Sequence, residues 1–191
     1  MVNKTKAQFR KEAIQRREAL TEAERKRGSL LMTEAVLGHQ WFYRAQNVLL
    51  FVSYGSEIDT TELLQEALRM KKKVYVPKVC GEDMEFYRID DMDGLAEGYK
   101  GILEPININP DRRYIEGERM VNGETVLMIM PGACFDKTRN RIGYGKGFYD
   151  KYLSDKPDLL TYTIAVGFLC QEFEELPTTE NDIKPYQVIL K

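Results

Sequence analysis

The spacing of apolar residues changes along this chain, and each change marks an element. In the N-terminal third, Phe9, Ala13, Ile14, Arg17 and Leu20 recur at helical spacing. TEAE, Thr21 to Glu24, is a capping-box signal for a second helix running towards Val36. From Asn47 the helical period is lost. NVLLFVSY (Asn47 to Tyr54) is a short, nearly continuous apolar run, as expected of a strand covered on both faces. A second capping box, DTTE (Asp59 to Glu62), opens a helix carrying Leu63, Leu64, Ala67 and Leu68. KVYVPKV (Lys73 to Val79) reads as another strand and MEFYRI (Met84 to Ile89) as a shorter, more exposed one. The stretch from Asp90 to Glu124 is rich in glycine, proline and asparagine and predicts a surface-winding connection or small hairpins. TVLMIMP (Thr125 to Pro131), TYTIAVGF (Thr161 to Phe168) and YQVIL (Tyr186 to Leu190) complete the strands, the first of them the most buried.

Helices alternating with continuous apolar strands predict an α/β fold. The expectation is a single domain over residues 1–191 with a mostly parallel, doubly covered central sheet, Rossmann-like and three-layered. Ligands of such sheets bind beyond the carboxyl ends of the strands.

Composition narrows the function classes. At 191 residues the chain buries enough surface to need no staple. Cys80, Cys134 and Cys170 have no CxxC spacing and His39 is the one histidine, which argues against a zinc site, a disulfide framework and a Ser/His/Asp constellation; His39 is read as structural or surface-exposed. A formal charge of −2 lacks the basic excess of a nucleic-acid binder. The basic clusters at Arg25 to Arg27 and Lys71 to Lys73 read as solvated helix faces. The N-terminus has no apolar signal core and no apolar run approaches the ~18 residues of a membrane span. The expectation is a soluble cytoplasmic chain without a membrane partner.

The densest chemistry lies in RNRIGYGKGFYDKYL, Arg139 to Leu153. Gly143, Gly145 and Gly147 alternate with Tyr144 and Lys146, too many glycines for a helix interior and too few side chains for a strand core. A loop whose bare amides approach an anion explains the pattern, with Lys146 adding a point charge. The spacing is neither the Walker loop, since Gly147 follows Lys146, nor the dinucleotide fingerprint, whose third glycine would fall on Phe148. On spacing alone, phosphate binding and a tight connection remain alternatives. Phe148, Tyr149, Tyr152 and Leu153 fall at helical spacings and suit an anchoring helix. Asp150 in its first turn, like Asp136 after the preceding strand, suits either a dipole partner or a magnesium ligand beside a triphosphate.

MPGACFDKTRNRIGYGKGFYDKYL resembles the signature of the 5-formyltetrahydrofolate cyclo-ligases, P-G-x-x-F-D-x-x-G-x-R-L-G-x-G-x-G-Y-Y-D. It departs from that pattern in Arg139 for glycine, Ile142 for leucine and Phe148 for tyrosine. The resemblance covers most of the chain. It implies that Lys6 and Arg10, four apart on one helical face, match a K-x-x-x-R motif that binds ATP. ATP binding would also involve Arg141, Ile142, Gly143, Tyr144, Gly145, Lys146, Gly147, Phe148 and Tyr149. FVSYGSEIDT is similar to the segment that places Val52 and Glu57 at the folate, and Tyr144 through Phe148 would share that substrate. A carboxylate suits a pterin, whose adjacent N–H donors it accepts in pairs. Glu104 and Pro105 resemble a further segment, with turn formation as their one physical role. ENDIKPYQVIL resembles the C-terminal metal segment, with Asp182 and Asp150 as magnesium ligands and Asn181 where histidine is usual.

The implied reaction closes 5-formyltetrahydrofolate to 5,10-methenyltetrahydrofolate with ATP as co-substrate and Mg²⁺ as cofactor. Lys146, Arg141 and Tyr144 would carry it, in a monomer that binds no nucleic acid. Two other readings are a phosphate-binding enzyme of the sugar-phosphate isomerase or CoA-transferase type and a non-catalytic nucleotide-binding module.

Overall fold

A computed structural model describes residues 4–116 and 125–191. In chain order, α1 (Lys6–Glu18), α2 (Glu22–Leu37) and α3 (Gln40–Arg44) precede β1 (Asn47–Leu50), α4 (Thr61–Arg69), β2 (Lys73–Cys80) and β3 (Asp83–Ile89). The short β4 (Leu95–Glu97) and β5 (Leu103–Pro105) lead to β6 (Val126–Met130), β7 (Cys134–Asp136) and β8 (Arg141–Ile142). α5 (Phe148–Leu153), α6 (Pro157–Leu160), β9 (Thr163–Gly167), β10 (Glu172–Phe173) and β11 (Gln187–Leu190) follow.

The chain is a mixed α/β domain on a six-stranded sheet ordered β11-β9-β6-β1-β2-β3. Every pairing in it is parallel except β2 with β3. From β1 the chain proceeds to one side through α4 into β2, and from β6 to the other side towards β9. The order therefore reverses between β1 and β6, and a crevice at such a reversal is where open α/β sheets bind ligands. Alternate sheet residues enter two cores. Val48, Leu50, Val74, Leu127 and Ile129 pack with α2, α3 and α4; Leu49, Tyr75, Met128 and Met130 pack with α5 and α6. Leu63 and Leu64 of α4 are fully buried, each contributing about 1.5–3 kcal/mol.

Local chemistry sets the ends of the elements. Thr21 and Glu24 form the expected reciprocal cap on α2. The expected capping box on α4 does not form: Thr60, not Asp59, is the N-cap, and its side chain makes no cap bond. The Thr60 hydroxyl instead donates to the Phe51 carbonyl at 2.9 Å and accepts from Ser53 N–H at 3.1 Å. Those bonds replace strand pairing, which is why β1 stops at Leu50 although the apolar run continues to Tyr54. β3 is less exposed than its sequence suggested: Phe86 is fully buried against Tyr152, centroids 5.0 Å apart. Within the glycine-rich connection, β4 and β5 form a small antiparallel hairpin; residues 117–124 of that stretch lie outside the described residues. His39 is structural, its Nδ1 accepting the Trp41 N–H at the start of α3.

The sequence gives no sign of a small three-stranded sheet, β10-β7-β8, which holds the base of the glycine loop. Asp136 organises its turn, accepting from Thr138, Asn140 and the Leu176 N–H. Burial alone would raise its carboxyl, but these donors prevail and hold it below the ordinary aspartate value. Its lone pairs being taken, Asp136 is a turn organiser and not a metal ligand.

In the same turn Arg139, where the family pattern has glycine, sits at φ 72°. A left-handed conformation costs a side-chain-bearing residue about 1–2 kcal/mol, and glycine nearly nothing. Arg139 makes compensating contacts with the Tyr186 carbonyl and ring. Arg139→Gly is therefore expected to raise the melting temperature modestly, by about 2–4 °C for a net gain near 1 kcal/mol. A fall on thermal denaturation would mean that the Tyr186 contacts outweigh the backbone strain.

Candidate active site

Past the carboxyl ends of β1, β2 and β6 lies a cavity of about 400 Å³. Phe51 and Val52 follow β1, Pro131 follows β6, and Pro77 and Val79 lie on β2; all contribute to its wall. The opposite wall is the glycine loop, led out of β8 and into α5. Val52, Glu57, Arg141, Gly143, Tyr144, Lys146, Gly147, Phe148, Tyr149 and Asp150, all expected from the sequence, face this one space.

Two glycines of the loop are required by its shape. Gly145 has φ 98°, and a Cβ there would lie 3.3 Å from the Arg10 guanidinium carbon. Gly147 has φ 69° and starts α5. Arg10 supports the loop from behind, its Nε donating to the Gly143 carbonyl at 2.8 Å. Lys146 is exposed on the cavity rim.

Arg141 lies beneath the loop, only 3% exposed. It donates to Asp150 Oδ1 at 2.8 Å and to the Pro131 carbonyl at 3.3 Å. The Ile183 N–H is a second donor to Asp150 Oδ1, at 3.0 Å. Asp182 is next in the chain, and its carboxylate is paired with Lys6 and bonded by Thr179. Burial opposes ionisation of Asp182, but the Lys6 and Thr179 bonds outweigh it and lower its pKa. Among the described residues, no group of three or more His, Cys, Asp or Glu side chains is arranged to hold a metal ion.

Glu57 is at the other end of the cavity. Its Oε2 accepts the Tyr54 N–H at 2.9 Å, and the Tyr144 hydroxyl lies beside it on the same wall. Burial raises its pKa above the ordinary glutamate value of 4.5, against the lowering pull of Tyr144, Tyr54 and Arg17. The Tyr144 ring is partly exposed, but its phenol is raised by burial and by the Glu57 charge, so it stays protonated as a donor.

One expected contact needs correction. The Ile142 side chain is buried among Ala13, Cys134, Phe173 and Leu176, so its backbone alone is available to a ligand at the loop. Cys134 lies in the same cluster, with its thiol pushed up to about 12 by burial, which keeps it from acting as a thiolate.

The sequence reading missed Arg17 and the role of Glu104. Arg17 stood in the helical pattern of α1 among apolar residues, and a cation at such a position was the available signal. Glu104, 5% exposed, accepts from Val79 N–H at 3.0 Å and from Lys78 at 2.8 Å. It thereby fastens the β4–β5 hairpin to β2 along the cavity wall, a role beyond turn formation.

The sequence matches the 5-formyltetrahydrofolate cyclo-ligase family over residues 2–191. It is 30% identical to a 5-formyltetrahydrofolate cyclo-ligase of Mus musculus, covering 98% of this chain and 94% of that one. A Haemophilus influenzae protein of the same name is 26% identical over the full length of both chains. The NMR structure of Aquifex aeolicus 5,10-methenyltetrahydrofolate synthetase superposes with a TM-score of 0.78 at 30% identity, covering 94% of this chain and 86% of that one. A Mycoplasma pneumoniae synthetase of 18% identity shares the fold, with a TM-score of 0.73 and coverage of 96% and 97%.

Proposed function

This chain belongs to the 5-formyltetrahydrofolate cyclo-ligase family, and we propose that its cavity performs the ATP-dependent closure of 5-formyltetrahydrofolate to 5,10-methenyltetrahydrofolate. The observation that carries this reading is the joining, in one cavity, of a bare glycine loop bearing Lys146 with a buried carboxylate, Glu57.

The chemistry requires both ends. An amide-like formyl oxygen is a poor leaving group. Attack of that oxygen on the γ-phosphorus of ATP releases ADP and leaves a phosphate ester of an imidate. The neighbouring folate nitrogen then adds to the formyl carbon and gives up its N–H proton to solvent, and phosphate departs with the oxygen to leave the methenyl bridge. The protein's part is positioning and charge stabilisation. Amides of the loop from Gly143 to Gly147 would cradle the phosphates, Lys146 would meet the transferring group, and Arg141 would supply a fixed charge beneath it. Arg10 meets the loop at the Gly143 carbonyl, and Lys6, four residues earlier on α1 and paired with Asp182, would join it in supporting the triphosphate end. Val52 and Phe148 would flank the pterin. Glu57 has about four lone-pair sites, of which the Tyr54 N–H takes one; with the Tyr144 hydroxyl beside it, the others would accept the pterin's paired N–H groups.

Mg²⁺ fits the residues present. An ion held chiefly by phosphates needs one or two protein carboxylates. Asp150 would hold it, because its Oδ2 has no bond from the described residues. Asp182 is the weaker candidate, both its oxygens being engaged by Lys6 and Thr179. Bound there, the ion would neutralise phosphate charge.

The wider reading is one family domain over residues 1–191, three-layered and Rossmann-like, supported by the separate cores on the two sheet faces. It is a cytoplasmic monomer without nucleic-acid or membrane partners. Among the described residues no helix is long and apolar enough to cross a membrane.

The test is spectroscopic. Formylfolate, ATP and magnesium should together give the methenyl chromophore with one ADP per ring closed. ATP consumption without that chromophore would overturn the reading.

Glu57 gives a second check. Because burial raises its pKa, the carboxylate needed for the pterin is lost, as pH falls, above the usual glutamate range near 4.5. kcat/KM for formylfolate should therefore show an acid limb displaced upward from that value. Glu57→Gln should abolish the limb and raise KM for formylfolate with ATP binding retained. An unchanged limb in the variant would remove Glu57 from the folate site.

A further inference from the structure

On α1, at about 100° per residue, Lys6, Arg10 and Arg17 fall within roughly 40° of one another, with Arg17 roughly 10 Å along the axis from Arg10. Arg10 reaches the back of the glycine loop. Arg17 reaches its front: Nη1 donates to the Tyr144 hydroxyl at 2.6 Å and Nε to Ser56 Oγ at 3.0 Å. The Tyr144 hydroxyl lies beside the Glu57 carboxylate on the same cavity wall.

Arg17 is only 5% exposed. A buried arginine that serves packing alone is ordinarily matched by a carboxylate in a fork-to-fork pair. Among the described residues the hydrogen bonds of Arg17 go instead to two neutral hydroxyls, and no ion pair joins it to a carboxylate. The carboxylate on which that charge acts is Glu57, across Tyr144 on the cavity wall. Tyr144 occupies a position that the family pattern leaves open.

We propose that Arg17 is a positioning residue for the folate carboxylate, clamping the Tyr144 hydroxyl against Glu57 and so fixing the folate-facing end of the glycine loop. This rests on the proposed reading of the cavity as a formylfolate site. Arg17 reaches the cavity wall beside Glu57, but in this scheme it acts through Tyr144, setting the direction of the two groups that meet the folate. One rigid helix would then support both ends of the cavity, through Arg10 at the phosphate end and Arg17 at the folate end.

Steady-state kinetics on Arg17→Met, Arg17→Lys, Tyr144→Phe and the Arg17→Met/Tyr144→Phe double variant test the proposal. A charge-assisted bond lost from the substrate-bound state predicts that Arg17→Met raises KM for formylfolate about tenfold or more, with KM for ATP changed less than about twofold. Arg17→Lys, keeping the charge and one donor, should recover part of that loss. Tyr144→Phe, which removes one hydroxyl from a partly exposed ring, should raise the same constant and tests the clamp even if Arg17→Met folds poorly. The double variant should be no worse than the worse single one. Equal rises in both Michaelis constants, additive losses, or an unchanged KM in Tyr144→Phe would overturn the clamp. Failure of the unaltered protein to form the methenyl product would instead sink the reading of the cavity itself.

Discussion

Lys146→Ala is expected to lower turnover about ten- to a hundredfold, the worth of one charge-assisted contact of about 1.5–3 kcal/mol. Lys146 is exposed on the cavity rim between two loop glycines. It makes no hydrogen bond or ion pair with another described residue, so folding loses nothing when its ammonium is removed. A melting temperature within experimental error of the parent's, together with the kinetic loss, would assign that loss to phosphate stabilisation. A rate unchanged by the substitution would take Lys146 out of the mechanism.

Arg141→Met should show the opposite balance, with both stability and turnover lost. The Arg141 side chain is 2% exposed and its partner Asp150 22%. Removing the guanidinium leaves that carboxylate half-buried beside the sheet, with the Ile183 N–H as its remaining donor. Breaking a fully buried ion pair costs about 3–5 kcal/mol; partial exposure of Asp150 reduces this to roughly 2–3 kcal/mol. For a chain of this size that is a fall of about 5–10 °C in melting temperature. Turnover should fall as well, because the group bounding the loop from below is gone. Thermal denaturation beside the kinetic assay separates the two effects, and a fully stable variant would show that Arg141 does not anchor Asp150.

The parts of this fold that were legible in the sequence are those with enough residues to express a period. β6 and β9, buried at every position, were legible as unbroken apolar runs, and α2 announced its start with Thr21 and Glu24. The loop was legible because glycines at alternate positions have few structural uses. The small sheet was not: β8 and β10 have two residues each, too few for any pattern. The end of β1 was hidden because it depends on Thr60, nine residues from the carbonyl it bonds. Arg17 was hidden by its own position, a cation within an apolar spacing whose purpose appears when Tyr144, far along the chain, folds against it. Glu104 was likewise opaque, since its partners on β2 come together only through the sheet edge.

The position of the nucleotide decides whether the glycine loop is the phosphate site. A crystal structure of the protein soaked with ATP measures that directly. The prediction is a triphosphate lying along Gly143 to Gly147, with the Lys146 ammonium on its terminal phosphate and the Glu57 end of the cavity open for the folate. A triphosphate bound elsewhere, with the loop empty, would contradict it.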